Sequence, residues 1–362
     1  MSDTTRRNRA WARVRRLTIL AAAALGAIAP LAASAAATGV APGEVRLLHA
    51  DHALAGRVWS TRERRFVDAA ALLARAAQVR YLLLGERHGN PEHHRLQGRL
   101  IAAAAERGRR VAVVAEQLDF PAQSAIDACA RECTDFGLEL GGRVGWAQGG
   151  WPNYALYAPV FAAADAVGAP VYAGNPGARR IRVLAGGGQP AADEAAWAAR
   201  AEAALPAVGR ERLIEDLVAG HCGHLPPERT IPMVHAQRLR DAAMAATLER
   251  ARDALGAAGT LVAAATADAA PLAVLVAGNG HARRDYGVPT LLGAESVLVV
   301  GFVEVVPGRD DPAGYEPADA FDFVWFTPRV DEPDPCRQFR EQLERLRRPA
   351  EAAAVSAPAV PR

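Results

Sequence analysis

Val79–Gln97 reads VRYLLLGERHGNPEHHRLQ. The opening VRYLLL is a short, strongly apolar run ending at glycine, the composition of a buried strand. Asn90 then supplies a helix cap, and Pro91 fits a first turn where its missing N–H is harmless. Leu96, Leu100 and Ile101 recur on one face of the helix that follows. A strand feeding a helix through a polar turn is the repeating unit of an α/β protein. The turn itself holds Gly85, Glu86, Arg87 and His88.

Working outward, the same alternation recurs. Arg110–Ala115 (RVAVVA), Pro170–Ala173, Leu272–Ala277 (LAVLVA), Ser296–Val303 and Phe321–Thr327 read as further strands. Arg65–Ala77, Ala122–Arg131 and Tyr154–Val167 have helical spacing. Ala191–Gly256 is mostly helical with a break around Cys222–Pro232, and Val45–His49 with Gly56–Ser60 reads as a small opening hairpin. The expected fold class is α/β: a single domain, residues 36–328, with a mostly parallel sheet flanked by helices, plus an N-terminal hairpin. An arginine- and glutamate-rich helix and an alanine- and proline-rich tail are expected over residues 329–362.

Residues 1–35 are expected to stand outside the fold. Six arginines by Arg16, an apolar stretch from Leu17, and Ala33-Ser34-Ala35 follow the order of a secretory signal peptide. A retained anchor is the less favoured alternative, because Gly26 and Pro30 interrupt a run already short for a membrane span. No cysteine lies at the cleavage point, so no lipid site is expected there. A periplasmic or secreted location follows, by a Sec or twin-arginine route. Taking the six arginines and Asp3 from 42 basic and 40 acidic residues leaves 36 and 39, near −3. That balance argues against nucleic acid as a partner.

Every basic side chain apart from histidine is arginine. Without lysine there is no amine for a Schiff base or pyridoxal chemistry, and no lysine-bearing phosphate loop. Cys129, Cys133, Cys222 and Cys336 make an even count, which in an oxidising compartment favours disulfides. Cys129 and Cys133 stand one helical turn apart and can pair, leaving Cys222 with Cys336, one of three possible arrangements.

The chemistry gathers where the apolar runs stop. Glu86 and His88 follow the first strand, Glu116 and Gln117 the second, Asn175 the third, and Asn279 and His281 the fourth. If these strands are parallel, their carboxyl ends share one edge, where open α/β sheets form ligand sites. Two G-x-x-H segments, Gly85–His88 and Gly278–His281, would then bring two imidazoles and two carboxylates together. Such a set can hold a divalent transition metal or act as base and acid without one. A lone G-x-x-H is a weak signal, since one histidine beside a turn is commonly only hydrogen-bonded. His93 and His94 read as solvated, and His221, Cys222 and His224 as a disulfide beside loop histidines. Trp146, Trp151, Tyr154 and Tyr157 either line an apolar pocket or belong to the core. The G-x-S-x-G elbow and the H-E-x-x-H zinc helix are both absent.

These residues also carry a resemblance. LLLGERHGNPEHHRLQ (82–97), VVAEQLD (113–119), HCGHLP (221–226), AQRLRDAAMA (236–245), VAGNGHARRDYGVP (276–289) and FDFVWFTP (321–328) are similar to segments of the ChaN-like haem-binding uptake proteins of the Tiki/TraB/erythromycin-esterase superfamily. The resemblance implies an α/β cell-envelope protein that binds haem, as a homodimer with two haems at the interface, working with envelope haem-uptake components. It also implies tyrosine on the iron, although no motif marks Tyr154, Tyr157 or Tyr286 for that role. Superfamily hydrolases use the positions matching Glu86, His88, Glu116 and His281.

Two functions therefore stand side by side. A haem binder would pair the propionates with arginines such as Arg283 or Arg284, supported by Asn175, Asn279 and Tyr286. A metal-dependent esterase or peptidase would use Glu86 or Glu116 as base on a water, with His88 and His281 either holding the metal or shuttling protons.

Overall fold

The computed structural model describes residues 45–223, 225, 227–259, 270–316, 319–330, 336 and 340. The expected signal segment and most of the expected C-terminal helix and tail lie outside these residues. The strands are β1 (Val58–Ser60), β2 (Arg65–Val67), β3 (Tyr81–Glu86), β4 (Arg110–Asp119), β5 (Val171–Asn175), β6 (Pro271–Gly278), β7 (Val297–Glu304) and β8 (Phe323–Thr327). The helices are α1 (Ala69–Ala76), α2 (Pro91–Glu106), α3 (Gln123–Glu132), α4 (Phe136–Arg143), α5 (Tyr154–Ala166), α6 (Ala178–Ala185), α7 (Ala195–Arg200), α8 (Ala207–Gly220), α9 (Pro227–Gly259) and α10 (Asn279–Ala282).

The eight strands form one sheet in the order β2-β1-β8-β7-β3-β6-β4-β5. From β8 to β5 all neighbours are parallel, while β1 runs antiparallel to both β8 and β2. The central strands are apolar on both faces because both faces are covered. Leu82 and Leu84 of β3, Val113 and Ala115 of β4, and Val274 and Val276 of β6 pack with α2 and α5. The alternating residues Leu83, Val114 and Leu275 pack on the opposite face against Met244, Ala245 and Leu248 of α9.

Several boundaries differ from the sequence expectation. The opening hairpin is β1 with β2, not Val45–His49 with Gly56–Ser60; Leu48 makes a single antiparallel bridge to Arg329 instead. The first helix starts at Ala69 rather than Arg65, because the Asp68 carboxylate accepts the Ala71 N–H at 2.7 Å and fixes the cap there. The expected break reaching Pro232 is shorter: α9 begins at Pro227 and carries Pro232 within its first turns. Among the described residues no helix is long and apolar enough to cross a membrane.

The order β3-β6-β4-β5 sets the carboxyl ends of four parallel strands side by side. Glu86 stands level with Gly278, and Asp119 with Asn175 after a register shift in β4. The crevice of an open α/β sheet forms at such an edge.

Candidate functional site

Glu86 ends β3 with its side chain wholly buried. An unpaired carboxylate there would be costly, and its neighbours meet that demand. Oε1 accepts from His88 Nδ1 at 2.9 Å, Gln117 Nε2 at 2.6 Å and the Tyr157 hydroxyl at 2.9 Å. Oε2 lies 2.6 Å from His94 Nδ1, an ion pair rather than an aligned hydrogen bond. His94 faces acceptors on both nitrogens: Nε2 is 3.1 Å from the His88 carbonyl, and Nδ1 is 3.2 Å from Gln97 Oε1. Gln97 is oriented by its amide donating to the Leu84 carbonyl at 3.0 Å. The His94 ring also lies against Tyr157, with centroids 3.8 Å apart.

Burial by itself would raise the Glu86 carboxyl, but His94 and His88 hold it well below the usual range. Burial would lower the His94 imidazole; the Glu86 charge and hydrogen bonds outweigh it, so His94 is raised. Both effects describe a buried carboxylate–imidazolium pair.

A second pair stands across Gly278. His281 Nδ1 is 2.6 Å from Asp241 Oδ1, its Nε2 is 3.4 Å from Glu116 Oε1, and the Gln237 amide touches Nδ1 at 3.0 Å. Glu116 Oε2 accepts the Gly278 N–H at 2.7 Å. Burial pushes His281 down, yet Glu116 and Asp241 together hold it up at about 10. Burial would raise Glu116, and His281 brings it to about 2 instead.

His88 joins the two halves. A Cβ on Gly278 would lie 3.1 Å from His88 Nε2 and 3.6 Å from Glu116 Oε2, so a larger residue there would press on the ring. The His88 side chain is 37% exposed, which leaves it accessible where Glu86 and His94 are not. With Nδ1 held by Glu86, Nε2 has no hydrogen-bond partner among the described residues. Trp151 stands edge-on to the ring at 5.0 Å. Burial would lower this imidazole; the Glu86 bond and the Glu116 charge raise it overall. A cavity of about 250 Å³ opens beside it, lined by Glu116, Asp119, Gly149, Trp151, Asn175, Ala178, Arg240 and His281.

Residues 72–292 match the family model for haem-binding uptake proteins of the Tiki superfamily, ChaN. The chain belongs to the ChaN family. Two solved structures are similar to it. One, described as cofacial heme binding to ChaN of Campylobacter jejuni, is 16% identical, with 74% of this chain and 95% of that chain covered and a TM-score of 0.55. At that identity the likeness shows the ChaN fold. The other, the type III effector HopBA1, is 12% identical over 79% of this chain and 97% of that one, with a TM-score of 0.36. No curated protein matches the chain.

Within this ChaN fold, Glu86, His88, Glu116 and His281 meet at one place, as the two G-x-x-H segments suggested. Tyr157 joins them through Glu86, whereas Tyr154 points away and donates to the Gly137 carbonyl at 2.7 Å. Asn279 Nδ2 donates to the Phe302 carbonyl at 2.8 Å, and Asn175 lines the cavity. Arg283, Arg284 and Tyr286 do not line it. Arg283 is engaged by Asp285 at 2.7 Å and Glu316 at 3.0 Å, Arg284 by Asp322 at 2.6 Å, and the Tyr286 hydroxyl by Asp216 at 2.5 Å. Cys129 is bonded to Cys133 and Cys222 to Cys336.

The sequence reading of His93 and His94 as solvated was wrong, for both are fully buried. His93 accepts the Arg87 N–H at 2.9 Å and contacts Thr327 Oγ1 at 2.8 Å, tying the β3–α2 turn to β8. The signal was present: both histidines sit three, four or seven residues before Leu96, Gln97, Leu100 and Ile101, on the buried stripe of α2. Asp241 and Gln237, one turn apart on α9, were missed because only the tertiary fold brings them to His281.

The divalent-metal alternative finds no ligand set: among the described residues no group of three or more His, Cys, Asp or Glu is arranged to hold a metal ion. His281 faces Asp241 on Nδ1 at 2.6 Å and Glu116 on Nε2 at 3.4 Å, so neither of its nitrogens is left for a metal shared with His88.

Proposed function

We propose that this ChaN-family protein is an exported haem-binding protein of the bacterial envelope that serves haem or iron uptake, with His88 as the iron ligand. One observation carries the reading. His88 keeps Nε2 open on the accessible side while Glu86 holds Nδ1, the carboxylate–histidine arrangement that fixes the tautomer of a metal-ligating imidazole. Bound haem would supply the iron that this nitrogen ligates.

Tyrosine is the poorer candidate in this chain. Tyr157 donates inward to Glu86, Tyr154 to Gly137 and Tyr286 to Asp216. Burial raises all three hydroxyls well above the ordinary value, and none of the three lines the cavity. The cavity is below the roughly 300–1,000 Å³ of pockets that enclose drug-sized ligands, which favours a porphyrin held at its mouth beside Trp151. A homodimer closing over paired haems belongs to the same proposal, in line with the cofacial haem binding described for the Campylobacter jejuni protein. The signal-like residues 1–35 and the two disulfides support export.

The hydrolase alternative has less support. Its metal finds no ligand set among the described residues, and His281 is protonated well past neutral pH. The test is titration of the purified protein with haem. A saturable Soret band at one haem per chain, lost in His88→Ala with folding retained, is the expected result. A wild-type protein silent to haem overturns the proposal.

A further inference from the structure

The arginines that the sequence offered for the propionates are engaged elsewhere, yet the cavity beside His88 has its own means of holding an anion. We propose that this cavity is a carboxylate cradle, formed by Asn175 Nδ2, the start of α6 and the Arg240 guanidinium. This rests on the haem reading, in which the carboxylates are the porphyrin propionates.

Three independent features converge. Asn175 is 6% exposed, and its Oδ1 accepts the Gly177 N–H at 3.1 Å, which fixes the orientation of the amide. Its Nδ2 donor has no partner among the described residues and lies in the cavity wall. A donor whose orientation is fixed by its own amide oxygen, and which has no protein partner, is available to an acceptor in the cavity.

The second feature is α6, whose Ala178 lines the same cavity. Gly177 caps this eight-residue helix without a side chain, and the first bond back is from the Ile181 N–H to the Gly177 carbonyl at 3.0 Å. The N–H groups of Ala178, Arg179 and Arg180 precede that bond, at the positive end of the helix dipole. Gly177 has φ +91°, and a Cβ there would stand 2.9 Å from Asp119 Oδ2, so a larger residue would both strain the turn and fill the cradle.

Arg240 is the third. It lines the cavity and has no ion-pair or hydrogen-bond partner among the described residues. Its neighbour Arg238 is engaged by Thr290 at 2.9 Å and the Tyr286 carbonyl at 3.2 Å. Of the two acids in the wall, Glu116 is already balanced by His281 and the Gly278 N–H. The Asp119 carboxylate makes no side-chain hydrogen bond among the described residues; burial raises it and the nearby Arg240 charge lowers it, so it competes with a second anion for that guanidinium. A space of about 250 Å³ suits a propionate arm, with the macrocycle outside.

The test uses the disulfide-intact chain with four probes: haem, metal-free protoporphyrin IX, and the dimethyl ester of each. Soret absorbance reads the iron porphyrins, and quenching of tryptophan fluorescence reads the metal-free ones. Both free acids should bind at least about tenfold tighter than their esters, since one charge-assisted bond alone is worth that much. Asn175→Asp keeps the acceptor for Gly177 but replaces the donor with a charge. It and Arg240→Gln should each cost about tenfold toward the acids and leave the esters unchanged. Asp119→Asn should tighten the acids alone. Acids and esters that bind wild type equally, or variants that weaken both alike, overturn the cradle while leaving haem binding intact. A wild type that answers neither iron porphyrin overturns the haem reading and the cradle with it.

Discussion

Glu86 and His88 were legible as site residues because a carboxylate and an imidazole directly after VRYLLL have no cheap structural explanation. What surrounds them was less legible. Gln237 and Asp241 were not singled out, because only the fold closes them onto His281. Tyr157 shows the difference: its spacing on α5 fits either a pocket wall or the core, and in the fold it is buried with its hydroxyl 2.9 Å from a carboxylate 71 residues away. Tyr157→Phe removes one donor from a buried charge and is expected to cost about 1–3 kcal/mol of stability. Urea unfolding measures it; an unchanged midpoint would mean that Glu86 is satisfied without this hydroxyl.

At the scale of elements, the strands and their order along the chain followed from short apolar runs, and α2 from its Asn-Pro cap. The hairpin and the first helix were misplaced because Arg65–Val67 is only three residues long and gains its strand conformation from pairing with β1. Helical spacing in so short a stretch loses to tertiary pairing. The two G-x-x-H segments pointed to a meeting of β3 with α10, but not to how close it is. A Cβ on Gly85 would lie 2.4 Å from Asn279 Oδ1 and 3.0 Å from the Ala282 Cβ. Gly85→Ala is therefore expected to push α10 off the strand and cost about 1–3 kcal/mol by overpacking. A melting temperature equal to wild type would show that α10 yields without strain.

For the whole molecule, the decisive fact is the order β3-β6-β4, which sets strands nearly 190 residues apart in sequence edge to edge. No local pattern encodes that pairing; the sequence supplied only the condition that parallel strands would bring the two G-x-x-H turns together. The buried histidines make global stability depend on pH from both sides. Burial pushes His93 down to about 3 from an ordinary 6.5, so the unfolded chain takes the proton first. Its contribution is present above about pH 6.5 and is lost as pH falls toward 3, by up to about 1.4 kcal/mol per pH unit. His281, held up at about 10, acts oppositely: its contribution is complete below 6.5 and is lost as pH rises toward 10. Urea midpoints from about pH 4 to about pH 10 should peak near neutrality, with the acid limb flattened in His93→Gln and the alkaline limb in His281→Gln. Limbs of undiminished slope in those variants would contradict the assignment. His88 is the group proposed to meet iron. Resonance Raman spectroscopy of the haem-loaded protein, prepared with and without ring-¹⁵N histidine, tests this directly. An iron–nitrogen mode that shifts with the label and vanishes in His88→Ala is expected, whereas iron-bound phenolate modes that persist in His88→Ala would contradict it.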